Sequence, residues 1–93
     1  MRDLPREAAY NAIDSERDYQ DRVWGGSASS GTPGAGERSI DEFALYIQGY
    51  ANDLANLASH TMDPIEKLNF VRKVGGLAVA CMEQHGAPKR TED

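Results

Sequence analysis

Apolar positions recur along this chain in a way that predicts three amphipathic helices and one segment that belongs to none of them. From Ser39 to His60, residues Phe43, Ile47, Tyr50, Leu54 and Leu57 recur in alternating steps of four and three, and Ala44, Ala51, Ala55 and Ala58 widen the stripe. That is the period of a helix with one buried face. Ser39 and Glu42 open it as a capping box, each able to satisfy the other's backbone N–H. Next, Asp63-Pro64-Ile65-Glu66 reads as an N-cap, a first-turn proline and a second box, and Gly86 with Pro88 marks the end. The predicted spans, 39–60 and 64–85, are joined by so few residues that the two helices fold back as an antiparallel hairpin. The earliest helix is predicted over about 4–24, from an Asp3 N-cap and Pro5 to the stop at Gly25-Gly26.

Two of these helices depart from a simple one-faced pattern. The first has a stripe of Ala9, Ala12, Ile13, Tyr19, Val23 and Trp24, interrupted by Glu16 and Gln20 on the same face one turn apart. A buried polar group left unpaired costs about 1–3 kcal/mol, so these two need partners. The last helix has two stripes, one of Leu68, Val71, Ala78 and Met82, the other of Phe70, Val74, Leu77 and Cys81. A helix apolar nearly all round is surrounded by other helices. With two partners in its own chain, it is expected to meet a second subunit as well. Gly75-Gly76 in its middle costs about 1 kcal/mol per glycine relative to alanine, which points to a close approach. We read that approach as a helix crossing.

Residues 25–36 run Gly-Gly-Ser-Ala-Ser-Ser-Gly-Thr-Pro-Gly-Ala-Gly, from which no core can be built. Residues 25–37 are therefore expected to form a flexible loop. Without a Gly-Lys-Ser/Thr it is no P-loop. It serves either as a plain connector or as a run of unhindered N–H groups that close over an anion. The expected fold is a single all-α domain over 1–93, a three-helix protein with a long Gly/Ser loop and a frayed tail at 87–93, oligomerising through its last helix.

Ninety-three residues lie near the lower limit for a self-sufficient core, and chains this small often complete theirs by association. A net charge of −5, with the acids spread along the chain, argues against a duplex-DNA partner, which needs a basic face. The same spread gives DNA mimicry little support. The start, Met1 to Glu7, has no apolar stretch of a secretory signal, and the run around Leu77 is far shorter than the ~20 residues that span a bilayer. A cytoplasmic protein without a membrane partner is expected. Its one cysteine, Cys81, sits in an apolar run and reads as a buried, inert thiol.

Candidate chemistry is concentrated in two places. Glu16-Arg17-Asp18-Tyr19-Gln20, with Arg22 and Trp24, is the densest polar and aromatic cluster. It reads as a recognition strip in which arginines pair with phosphate, an aromatic ring stacks on a base and Gln20 reads a base edge. It reads equally as a solvated face with Glu16–Gln20 and Asp18–Arg22 pairs, and Trp24 plugging the bundle end. Arg72-Lys73 lies mid-helix between apolar residues, where a cation snorkels to water or finds an anion. His60 and His85 fall at helix ends and form no zinc set with a single cysteine, so neither a metal nor a cofactor is expected. Cys81 and His85 have the spacing of a nucleophilic dyad, but the apolar stripe denies Cys81 the exposure.

The strip Glu16-Arg17-Asp18-Tyr19-Gln20…Trp24-Gly25, paired with Val71-Arg72-Lys73-Val74…Leu77 to Glu83, resembles a group of small bacteriophage-encoded proteins over most of the chain except 25–37. More distantly, the layout is similar to the MazG-type all-α nucleoside-triphosphate pyrophosphohydrolases. There a Glu-Arg-x-x-Gln…Trp-Gly segment precedes two helices bearing Glu-x-x-Glu and Glu-x-x-Asp. This chain reads Ile47-Gln48-Gly49-Tyr50-Ala51-Asn52 and Phe70-Val71-Arg72-Lys73 at those places, and no acid lies between Glu66 and Glu83. Magnesium demands converging carboxylate oxygens in octahedral geometry, so the resemblance carries over without catalysis. What it implies instead is a polar cleft lined by Arg72, Lys73, Gln48 and Asn52, able to hold phosphate without magnesium. The functional expectation is a non-catalytic phage protein that binds a small nucleotide-like anion through these residues and the Glu16–Trp24 strip, sequestering a host defence signal. A protein–protein adaptor or inhibitor of a host enzyme, using the Gly/Ser loop and Trp24, is the alternative. A divergent magnesium-dependent pyrophosphohydrolase using Glu16, Glu42 and Asp53 is the third.

Overall fold

The computed structural model describes residues 3–24, 37–60 and 63–91, apart from the side chains of Trp24 and of residues 58–60. Three helices account for nearly all of them: α1 (Leu4–Trp24), α2 (Ile40–His60) and α3 (Pro64–His85). The all-α expectation holds, and helix boundaries fall within about a residue of those the caps predict. The expected loop at 25–37 lies, except for Glu37, outside the described residues. No helix among the described residues is long and apolar enough to cross a membrane.

Local chemistry sets the helix ends. Ser39 N–H donates to Glu42 Oε1 at 2.9 Å and Glu42 N–H donates to Ser39 Oγ at 3.1 Å, completing the capping box of α2. The Ser39 backbone and hydroxyl bonds hold the Glu42 carboxyl below its ordinary value of 4.5. A depressed carboxyl pKa contributes stability that is complete above the unfolded value and lost as pH falls through the folded one. The Glu42 carboxyl resonance is therefore expected to titrate below 4.5, and Ser39→Ala should raise it only part of the way back, because the backbone N–H of residue 39 still donates to the carboxylate. A wild-type midpoint at or above that value would contradict the box. At α3, Asp63 Oδ1 accepts from Ile65 N–H at 2.9 Å. The other end stops at Gly86, whose φ of +119° suits glycine and whose N–H reaches Met82 O at 2.9 Å.

α3 is the central element, with α2 and α1 packed on it and hardly on each other. α2 lies antiparallel to α3, since Phe43 near its start meets His85 edge-on and Tyr50 meets Phe70 further along. Phe43, Leu77 and Ala80 are the fully buried apolar residues among those described, flanked by Ile47, Tyr50 and Cys81. The stripe of α2 is narrower than its sequence suggests: Ala44, Ala51 and Ala55 are exposed. One helix partner covers one row of side chains, and the widening alanines fall outside it.

α1 runs in the same sense as α3, with Ile13 over Gly75 and Arg17 reaching Glu83. Its packed face bears out the burial of Glu16 and Gln20 and overturns the apolar stripe expected around them. Glu16, Arg17 and Gln20 are buried, at 6%, 6% and 4% exposure, whereas Ala9, Ala12, Tyr19 and Val23 are exposed. Ile13 is the half-buried member of the predicted stripe. The cause is the glycine pair. A Cβ at Gly76 would stand 2.7 Å from Glu16 Cγ and 2.8 Å from Gln20 Nε2, and one at Gly75 would stand 2.9 Å from Ile13 Cδ1. With hydrogens there instead, α1 comes close enough for its long polar side chains to reach partners on α3. The helix crossing read from Gly75-Gly76 is thus the contact that seats α1.

Candidate functional site

Two polar clusters tie α1 to α3. In the first, each nitrogen of the Arg17 guanidinium is already a donor: Nε to Glu83 Oε1 at 3.0 Å, Nη1 to Gln20 Oε1 at 3.2 Å, and Nη2 to Asp21 Oδ1 at 2.9 Å and Glu83 Oε1 at 2.5 Å. Burial by itself would lower the pKa of Arg17. Hydrogen bonds to Glu83 and Asp21, and their charge, outweigh it and hold the guanidinium above its ordinary value. So permanent a cation, forked between two carboxylates, clamps the helices together. The pairs expected within α1 were Glu16–Gln20 and Asp18–Arg22. The structure instead pairs Arg17 with Gln20 and Asp21, and sets Arg22 5.8 Å from the centroid of the Tyr19 ring.

The second cluster borders a cavity. Arg72 Nε donates to Glu16 Oε1 at 2.8 Å and Nη1 donates to Asn69 Oδ1 at 2.7 Å. Ser15, Glu16, Tyr19, Arg72 and Lys73 line a cavity of about 370 Å³ beside this pair. Lys73 makes no ion pair among the described residues. Its ammonium lies 4.9 Å from the Phe70 ring centroid and 5.6 Å from that of Tyr50, within the reach of cation–π attraction. Two cations and one carboxylate leave the lining with one net positive charge, in a chain whose own net charge is −5. Such a lining can accept a small anion from two donors of different geometry, the Arg72 fork and the Lys73 point charge. The Tyr19 ring supplies an adjoining aromatic face.

Of the residues singled out by sequence, Glu16, Tyr19, Arg72 and Lys73 converge on this cavity. Arg17 and Gln20 belong to the clamp. Gln48 and Asn52 are exposed on α2 and line neither this cavity nor the apolar groove described below, so the expected cleft does not include them. α2 and α1 sit on separate sides of α3, which leaves the polar face of α2 toward solvent. The Trp24 side chain and that of His60 lie outside the described residues. Ser15 was missed by sequence reading, although its place beside Glu16 and four residues before Tyr19 puts it on the same face. Glu83, which completes the clamp, left no local signal.

The carboxylates of the hydrolase alternative are not brought together. Glu16 faces Arg72, Glu42 caps α2, and Asp53 borders a different cavity with Leu45 and Tyr46. Among the described residues no three His, Cys, Asp or Glu side chains gather. Cys81 packs half-buried against the core, and His85 Nε2 lies 2.7 Å from Arg38 O.

A second cavity, of about 330 Å³, runs between Ala9, Ala12 and Ile13 of α1 and Ile65, Leu68 and Val71 of α3, with Arg72 at its border too. Comparison with known protein families, curated proteins and solved structures returns no match for this chain.

Proposed function

We propose that the protein is a non-catalytic binder of a small nucleotide-like anion, held in the cavity between α1 and α3. The observation that carries this reading is the charge imbalance of the lining. Glu16 answers Arg72 one for one, and Lys73 is left with aromatic rings and no carboxylate among the described residues. A phosphate oxygen would satisfy the Lys73 ammonium, while a base or sugar rests against Tyr19. In the resemblance to phage-encoded proteins, this binding serves to sequester a nucleotide signal of host defence. Copies of the chain associate through the outward stripe of α3, where Leu68, Val71 and Met82 are exposed.

Calorimetric titration with a panel of linear and cyclic nucleotides tests the binding. At least one is expected to bind at micromolar concentration. Lys73→Gln should weaken it by about 10- to 100-fold, the worth of one charged hydrogen bond of roughly 1.5–3 kcal/mol. Absence of heat from every nucleotide at high micromolar concentration would end the proposal.

A further inference from the structure

We infer that the ligand of the cavity between α1 and α3 carries sugar hydroxyls beside its phosphate, and that Glu16 is the residue that reads them. On the anion-binding reading above, on which this rests, the ligand narrows from any small anion to a sugar phosphate.

The cavity has two unlike walls. On α3, Arg72 already donates Nε to Glu16 and Nη1 to Asn69, whereas its Nη2 and the Lys73 ammonium have no hydrogen-bond partner among the described residues. Neither side chain has an acceptor atom, so this wall donates. On α1 the reverse holds. Glu16 accepts from Arg72 through Oε1, and its Oε2 has no partner among the described residues. Ser15 gives its hydroxyl proton to Ala12 O at 2.6 Å, so its Oγ presents lone pairs. A bare anion would satisfy the α3 wall and meet lone pairs and a carboxylate on the other.

Glu16 is the more informative of the two acceptors, because its side chain is 7% exposed. Among the described residues no fully buried side-chain nitrogen or oxygen lacks a partner, so Oε2 keeps some accessible surface, and the residue lines this cavity. A carboxylate oxygen so far from bulk water gains from a ligand donor that reaches it. An analogue without that donor leaves the oxygen unpaired and is rejected.

Geometry chooses the sugar over the base. Glu16 Oε1 is 2.8 Å from Arg72 Nε, and Nε and Nη2 belong to one planar guanidinium. A phosphate held on Nη2 is therefore a close neighbour of the Glu16 carboxylate, and two anions so near repel. The group that meets Glu16 must be a donor lying next to the phosphate, and in a nucleotide that is the sugar. A carboxylate accepting from a ribose hydroxyl is a recurrent device of nucleotide sites. The base is left to the Tyr19 ring, which is 53% exposed.

The experiment is calorimetric titration of the full chain with two kinds of probe. One is the set of nucleoside monophosphates of the four common bases, each in ribo and dideoxy form; the other is sulfate, an anion without a hydroxyl. For the base that binds best, wild type is expected to hold the ribo form about 10- to 100-fold more tightly than the dideoxy form. Glu16→Gln can turn its amide oxygen toward Arg72, which sets an NH₂ donor where Oε2 stood. It should bring the two forms within about threefold of each other and, with one negative charge gone from the lining, bind sulfate more tightly than wild type. A change that merely loosened α1 would weaken sulfate as well, so a Glu16→Gln protein that loses affinity for every probe overturns the direct role. Should that variant lose its helical circular dichroism, the wild-type comparison decides alone. Equal wild-type affinity for ribo and dideoxy forms overturns the reading of hydroxyls by Glu16 while leaving the anion site standing. Binding by none of the probes, with sulfate taken to millimolar concentration, overturns the anion site and the role of Glu16 together.

Discussion

Arg72→Ala is expected to lower the unfolding free energy by about 3 kcal/mol, the low end of the ~3–5 kcal/mol for breaking a buried ion pair from one side. The Glu16 side chain is 7% exposed and its carboxylate is held by the Arg72 Nε at 2.8 Å. Removing the guanidinium leaves that charge in a poorly hydrated place. The low end applies because the Arg72 side chain is 35% exposed, so water already shares its charge. A domain of this size has roughly 5–14 kcal/mol of stability in all, and the thermal midpoint should fall by about 12–24 °C. Adding Glu16→Gln removes the stranded charge and should recover most of the loss. Urea unfolding at one fixed protein concentration measures both effects. A loss below about 1 kcal/mol, within the range of ordinary surface pairs, would mean that Glu16 is hydrated and α1 is not docked as described.

The second large effect depends on a sign. Alanine in place of glycine inside a helix ordinarily gains about 1 kcal/mol. Gly49→Ala should show that gain, because a Cβ there meets nothing within 4 Å. Gly76→Ala should reverse it. The new methyl would press on Glu16 Cγ, an atom too near the backbone to swing away, and on Gln20 Nε2. Overpacking of this kind costs about 1–3 kcal/mol, and the displacement also lengthens the Arg72–Glu16 and Arg17–Glu83 bonds. We expect a net loss of about 2 kcal/mol, leaving the two alanine variants about 3 kcal/mol apart. Equal stability of the pair would show that nothing packs on Gly76.

α2 and α3 were legible in the sequence because their signals are local. Ser39 and Glu42 are three residues apart, Pro64 follows its cap, and the four–three rhythm from Phe43 to Leu57 needs no knowledge of the partner. The ends of α1 were legible for the same reason. Its buried face was not. Reading a core from hydrophobic period assumes that what is buried is apolar, and α1 buries Glu16, Arg17 and Gln20 instead. The residues that make this tolerable, Arg72 and Glu83, lie 56 and 66 positions downstream of Glu16 and Arg17. No local pattern encodes such pairings. What the sequence did offer was the interruption itself, two polar residues in an apolar stripe, together with a glycine pair whose helical cost called for a close neighbour. Four members of the cavity lining stood out as chemistry-bearing residues; Gln48 and Asn52 were grouped with them on the premise that α2 shares the cleft. The cavity takes its lining from α1 and α3, with the Tyr50 ring of α2 beside Lys73 but neither Gln48 nor Asn52 in the lining.

The central claim is that an anion settles between α1 and α3 over Lys73. It is tested most directly by following the backbone amide resonances of the full chain during titration with nucleoside monophosphates and cyclic nucleotides. Saturable shifts centred on Ser15, Glu16, Tyr19, Arg72 and Lys73 are expected with at least one of them, and Lys73→Gln should abolish saturation over the same range. Shifts that saturate on the Gln48–Asn52 face instead, or spectra unmoved by every ligand, would contradict it.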